Sequence, residues 1–315
     1  MITLKPDVIA LGEPMVEFCA TGTGRLSEMD LFKRGWGGDT SNFAVAAART
    51  GSSVSHLCRL GDDEFGRSFM ELWSREGIDT EKVIIESGAW TAIYLISLME
   101  GGGHDFTYYR AGSAASRYSV EDLDQEYLSN AKVFHTSGIS LAVSETLREA
   151  AFRAIEYCRD NGAHITFDIN MRPKLWPINT ARAVFNYAFT LTDTVFASME
   201  DMNLLYSITD PNDAALHLRE MGVKTVVIKH GGMGCYVYTG SVEFTSPGYK
   251  VDVLDTTGSG DAFDGAWVSA MLDGLPLRKR ASFANAVGAL TATGLGAVTP
   301  IPNRERALKL MEEQG

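Results

Sequence analysis

The chain has 315 residues, 45% hydrophobic and 22% charged, and its 28 basic and 40 acidic side chains leave a net charge of −12. That balance excludes general nucleic-acid binding, which rests on phosphate neutralisation by Lys and Arg, and no apolar run approaches the roughly 20 residues that span a bilayer. Met1–Ala10 lacks a charged stretch followed by an apolar core and a small-residue cleavage site, so a cytoplasmic protein with no membrane partner is expected, long enough for one large α/β domain or two modest ones.

Strand-like and helix-like segments alternate along the whole chain. "DVIALGE" (Asp7–Glu13) reads as a buried strand ending at a glycine, and "DTSNFAVAAARTG" (Asp39–Gly51) as an Ala-rich helix that Gly51 stops. "SVSHLCRLG" (Ser53–Gly61) reads as a strand and Glu64–Glu76 as a helix. After the strand "AKVFHTSG", Leu147, Ala151, Ala154, Ile155 and Cys158 form a 3.6-residue stripe. "AHITFDIN" is a strand, Thr180–Leu191 a helix, and "DTVFAS" and "KTVVIKHG" are strands. Helices close the chain near Asp261–Asp273, Arg278–Thr293 and Asn303–Glu312. Repeated β-α-β of this kind predicts a mostly parallel sheet covered by helices on both faces.

Glu13–Arg34 and Ser87–Arg110 break the pattern with strand character and no intervening helix. In "HDFTYYR", Phe106, Tyr108 and Arg110 share one face and Thr107 and Tyr109 the other. These two excursions, about 13–34 and 87–111, are expected to build a small β-sheet lid over a polar ligand within a single 1–315 domain. The four cysteines form no CxxC and the six histidines no HExxH, so free thiols and structural or surface histidines are expected.

"VDVLDTTGSGD" reads as a strand, then small polar residues, then a helix start. Two glycines flanking Ser259 let the backbone approach a ligand, and the helix N-terminus adds partial positive charge, which together make an anion cradle. Asp261 there reads either as a helix cap or as a general base for the group that attacks a phosphate. GxxxxGK[ST] is absent, and Phe263 stands where a dinucleotide fingerprint needs glycine. "RGWGGDTSNFAVAAARTG" offers Asp39 and Asn42 to sugar hydroxyls, or a plain Gly-turn with a cap. "TFDINMR" puts Asp168, Asn170 and Arg172 at and beyond a strand's carboxyl end, where open α/β sheets bind ligands. "VIKHGGMGCYVY" carries Lys229 and then glycines 231, 232 and 234, and taken alone is also a Gly-rich hairpin.

In this order the four segments resemble the ribokinase-like, PfkB-type carbohydrate kinases over nearly the whole chain. "GGDTSNFAVAAARTG" with "RLGDDEFG" is similar to the family's first signature, "DTTGSGDAFDGAW" to its second, and "VIKHGGMG" to its nucleotide segment. The resemblance implies a central sheet with a β lid and ATP-dependent phosphorylation of a sugar hydroxyl with Mg2+. It implies Asp261 as base, with the amides of Gly258, Ser259 and Gly260 on the transferred phosphoryl group. Asn170, Arg172, Ser198, Lys229, Gly231, Gly234 and Asn285 fall on its nucleotide side. One departure stands out: the family's Asn-x-x-Glu is here Ser198 and Asp201, so Glu200 or Asp201 would meet Mg2+ only through water. A monovalent-cation site near "GLGAVTP" and a homodimer through the lid edges are further implications.

"FTYYRAGSAAS" and "FDINMRPKLW" look most like the 2-keto-3-deoxygluconate kinases, which phosphorylate the terminal C6 hydroxyl to 2-keto-3-deoxy-6-phosphogluconate. By that resemblance Gly38, Asp39, Asn42, Tyr94, Tyr108, Arg110 and Arg172 line the sugar side with Asp261, and arginine suits the sugar acid's carboxylate. Fructokinases and riboside kinases share much of this pattern. A non-catalytic sensor on the same fold would have lost Asp261 or the flanking glycines, and this chain has lost neither.

Overall fold

Alternation along the first strand sets the layering. Val8 and Ala10 of β1 (Val8–Leu11) face one hydrophobic core, and Ile9 and Leu11 face the other. The computed structural model describes residues 5–99 and 103–314; the first four residues of Met1–Ala10, and positions 100–102 of the 87–111 excursion, lie outside the described residues.

The large sheet has eight strands, β1, β4 (Val54–Leu57), β9 (Val133–Ser137), β10 (His164–Asp168), β11 (Thr194–Ser198), β12 (Thr225–Lys229), β13 (Cys235–Tyr238) and β14 (Glu243–Ser246). Their order is β14-β13-β12-β11-β10-β9-β1-β4, parallel from β12 to β4, with β13 and β14 added antiparallel. One face carries α1 (Asp39–Arg49), α2 (Glu64–Arg75), α9 (Ser259–Leu272), α10 (Leu277–Thr291) and α11 (Arg304–Gln314). The other carries α3 (Gln125–Leu128), α4 (Gly138–Val143), α5 (Glu145–Asp160), α6 (Ile178–Leu191), α7 (Met199–Tyr206) and α8 (Pro211–Glu220). This is the mostly parallel, doubly covered sheet that the β-α-β pattern predicts. Helix α9 is apolar nearly all round because it is buried between α1 and α10, and a Cβ on Gly265 would lie 2.5 Å from Phe43 O.

A second sheet joins β2 (Met15–Thr23), β3 (Phe32–Gly37), β7 (Ile93–Leu98) and β8 (His104–Tyr109) in the order β3-β2-β7-β8. Its centre is a parallel β2–β7 pair with Glu17 opposite Tyr94. Lys174, from the segment after β10, donates to Phe106 O at 2.9 Å and pairs with Asp105, which ties β8 to the main body.

Three sequence expectations change. Ser53–Gly61 is two strands, because the chain leaves β4 at Cys58 and β5 (Arg59–Gly61) pairs with β6 (Ile84–Glu86) in a sheet of its own. A 3-10 turn, Leu26–Glu28, interrupts the first excursion. Val251–Asp255 is not a strand: among the described residues no strand pairs with it, Val253 and Leu254 lie 63% and 60% exposed, and Val251 and Val253 line the cavity. All four cysteines are buried and free.

Candidate active site

The C-terminal ends of the parallel strands set the floor of a cavity of about 930 Å³. Strand register places Ser137 beside Asp168 and Ser198 beside Lys229. The cavity brings together every sequence-predicted site residue: Asp168, and the glycines, Asp39, Asn42, Tyr94, Tyr108, Arg110, Asn170, Arg172, Ser198, Glu200, Asp201, Lys229, Ser259, Asp261 and Asn285. Residues 258–261 and 38–42 come from two helix starts that meet at its centre.

At the first of these, Gly258 holds φ 76, and a Cβ there would lie 2.7 Å from Ala297 O. Only glycine takes this corner without strain. Asp255 shapes the turn, accepting from Thr257 N at 2.9 Å and Gly296 N at 2.8 Å. Gly258, the residue that opens α9, has no side chain to cap it. Among the described residues, the amides of Gly258, Gly260 and Asp261 find no acceptor, whereas Ser259 N donates to Thr256 O at 3.2 Å. The open amides at the positive end of the helix are therefore those of the two glycines and Asp261, not of Ser259.

Asp261 sits in the first turn of α9, partly open to the cavity. Its carboxylate accepts from Asn42 Nδ2 at 2.8 Å and from Asn170 Nδ2 at 3.4 Å. Burial first, then the charges of Asp39 and Asp168, push its pKa up to about 7, while Asn42 and Lys229 pull the other way. Asn170 is placed for this by a positive φ of 37, and it also reaches Asp39 Oδ2 at 3.3 Å. Asp39 also serves its own helix start: Oδ1 accepts from Thr40 N at 2.9 Å.

The small sheet supplies the opposite wall. Tyr94 donates to Glu17 at 2.7 Å, and Tyr108 lies 5.7 Å from the Arg110 guanidinium. Arg110, just beyond β8, pairs with Glu13 at 2.6 Å, and Ser113 donates to the other Glu13 oxygen at 2.8 Å. On the other side of the cavity, Gly231 and Gly234 shape the β12–β13 turn, and Asn285 donates to Ser246 O at 3.1 Å. Ser198 and Asp201 close a capping box on α7: Asp201 Oδ2 accepts from Ser198 N at 3.0 Å and from its Oγ at 2.7 Å, and Oδ1 accepts from Met171 N at 2.9 Å. Both carboxylate oxygens of Asp201 are thus engaged, and Glu200 is the freer acid.

Four residues of this site do not stand out in the sequence. Glu13 and Glu17 look like ordinary acids on or near strands, His104 like a surface histidine, and Asp264 like a stray polar residue in an apolar helix. Here Glu13 is the buried partner of Arg110, Glu17 holds Tyr94, His104 lies 3.7 Å from Asp255, and Asp264 pairs with Lys229 at 3.0 Å. Among the described residues, no three His, Cys, Asp or Glu side chains form a group that could hold a metal ion.

A family model for pfkB family carbohydrate kinases matches residues 5–304. The chain is 34% identical to a 2-dehydro-3-deoxygluconokinase of Thermoproteus tenax, covering 97% of this chain and 94% of that protein. It is 35% identical to fructokinase-1 of Oryza sativa subsp. japonica, covering 97% of each. A solved Escherichia coli structure holding ATP and Mg2+ superposes with a TM-score of 0.91 at 25% identity, over 98% of this chain and all of that one.

Proposed function

Since the chain belongs to the pfkB family of carbohydrate kinases, we propose that it transfers the γ-phosphoryl group of ATP to the C6 hydroxyl of 2-keto-3-deoxygluconate, with Asp261 as general base. One observation carries the reading: Asp261 is held by Asn42 at 2.8 Å beside open amides at the start of α9. In this step Asp261 takes the hydroxyl proton as that oxygen bonds to phosphorus, the bond to the β-phosphate oxygen breaks, and ADP leaves with the electron pair. The amides of Gly258 and Gly260 meet charge on the transferred oxygens. A carboxyl with a pKa near 7 accepts that proton well at neutral pH.

The β12–β13 turn and Asn285 form the nucleotide end of this reading, with Arg172 between the two substrates. Mg2+ would neutralise phosphate charge, and Glu200 or Asp201 would meet it through water. The small sheet acts as a lid that excludes water. Its edges carry Leu31, 70% exposed, and Tyr109, 61% exposed, which supports pairing of two copies there. A monovalent cation is proposed near Gly294–Pro300, which supports the cradle through Ala297.

Tyr94, Tyr108, Arg110 and Arg172 support a sugar acid, since arginine can grip a carboxylate with two parallel bonds. Fructose is the second reading, and a specific contact favours it: Arg110 is already paired with Glu13, so a substrate carboxylate would compete with a buried acid. Comparing kcat/KM for 2-keto-3-deoxygluconate, fructose and an aminoimidazole riboside separates them. A preference for fructose of about a hundredfold, some 3 kcal/mol of discrimination, would end the first reading.

A further inference from the structure

Beneath the cradle lies a buried ion cluster. Lys229, at the end of β12, donates to Asp168 Oδ2 at 3.0 Å, to Asp264 Oδ2 at 3.0 Å and to Asp264 Oδ1 at 3.2 Å. Asp264 is 1% exposed and Asp168 4%. Asp264 follows Asp261 by three residues on α9, so the two acids share a helix face. A Cβ on Gly260 would lie 3.3 Å from Lys229 Nζ, which places the ammonium against the backbone of the cradle.

A lysine that grips a mobile phosphate needs its ammonium free. Lys229 lines the cavity, but turning its donors from Asp168 and Asp264 to a phosphate would strand two buried carboxylates without their cation, which is strongly unfavourable. We propose that Lys229, clamped by Asp168 and Asp264, is a positioning residue that keeps the Asp261 carboxyl in its proton-accepting form and is not a ligand of the nucleotide phosphates. The inference rests on the reading of Asp261 as base.

Asp261 is faced by Asp39 and Asn42 from α1, by Asp168 and Asn170 from the end of β10, by Tyr94 from β7 and by Lys229, whose partner Asp264 lies one turn on along α9. Lys229 is the cation of this set. Burial, Asp39 and Asp168 favour the protonated acid; the Asn42 hydrogen bond opposes them first, and Lys229 is the charge that opposes them. His135, which also faces Asp168 and Lys229, is pushed down to about 3 by burial and stays neutral. Without Lys229 the proton affinity of Asp261 rises, and a smaller fraction is ionised at neutral pH.

The test is the pH profile of kcat/KM in Lys229→Met, with KM for ATP measured alongside. The acid limb should move up by about one pH unit, a loss of roughly tenfold near pH 6 that shrinks to under about threefold near pH 9, while KM for ATP stays within about threefold. An unmoved limb with KM for ATP raised about a hundredfold makes Lys229 a phosphate ligand and overturns the proposal. Because Lys229→Met leaves a buried excess of negative charge, the double variant Lys229→Met/Asp264→Asn removes an acid with the cation. It should fold and show a limb between the wild type and the single variant. If it regains thermal stability with the limb at the wild-type pH, the cluster is only structural. Failure of the base reading shows separately, as turnover retained in Asp261→Asn.

Discussion

Two helix starts meet in the cavity, built alike and used differently. Helix α1 follows Gly38 at φ 93 and α9 follows Gly258 at φ 76; neither has a side-chain cap from the preceding residue, and each carries an acid in its first turn. At α1 the acid is spent on the fold: Asp39 is 7% exposed and one of its oxygens accepts from Thr40 N. At α9 the amides stay open and Asp261 turns to two asparagine side chains. An acid that satisfies its own helix is structure; one that leaves the helix unsatisfied is free for a ligand and a proton.

The contrast breaks first at Asp261. Asp261→Asn keeps the shape and removes the proposed base, so kcat should fall by about 10³-fold or more while ATP binding, read by calorimetry, persists. Retained turnover would make Asp261 a second Asp39. Next comes Gly258→Ala, which forces a Cβ to 2.7 Å from Ala297 O at a positive φ. It should lower kcat by about a hundredfold with a lower Tm, and a near-wild-type rate would show that the cradle tolerates displacement. Asn42→Ala cuts the link between the two helix starts and should cost about tenfold in kcat/KM, with the acid limb moved to higher pH. A limb that stays put would leave Asn42 as packing.

The smallest effect is on stability. Asp261 binds its proton more tightly folded than unfolded, because burial raises its pKa from 3.8 to about 7. The stabilisation that comes from the protonated form is full below about pH 4 and is lost as pH rises through about 7. Without ligand, Asp261→Asn should therefore melt above the wild type at about pH 8, and the gap should close towards about pH 4. A gap that is constant with pH would mean the carboxyl is not strained in the folded protein.

How much of this was legible depends on how the chemistry is spread along the chain. Gly258, Gly260 and Asp261 announce themselves because cradle and acid are consecutive, and the parallel sheet follows from alternation that local composition records. Asn42 meets Asp261 across 219 residues and Lys229 meets Asp264 across 35, and no local pattern encodes either meeting. Asp264 stands between Phe263 and Gly265 in an apolar helix, where only the fold reveals a lysine opposite. Val251–Leu254 has the composition of a strand, but among the described residues no neighbouring strand pairs with it, and Val251 and Val253 line the cavity instead. Arg110 was readable as a cavity residue; its buried partner Glu13 was not, and that partner bears most directly on the choice of sugar.

The small sheet has a core of its own made of little more than Met15, Cys19, Ala92, Tyr94 and Ile96, against the two extensive clusters that flank the large sheet. Val16, Phe18, Trp36 and Ile93 tie the sheet into the larger cluster, but a unit whose own core is this thin should open at lower free energy than the large sheet. Amide hydrogens of β7 and β8 should therefore exchange with solvent long before those of β10 and β11. A sugar wedged against Tyr94 and Tyr108 would complete that thin core from outside, so the ligand itself becomes part of what keeps the wall folded.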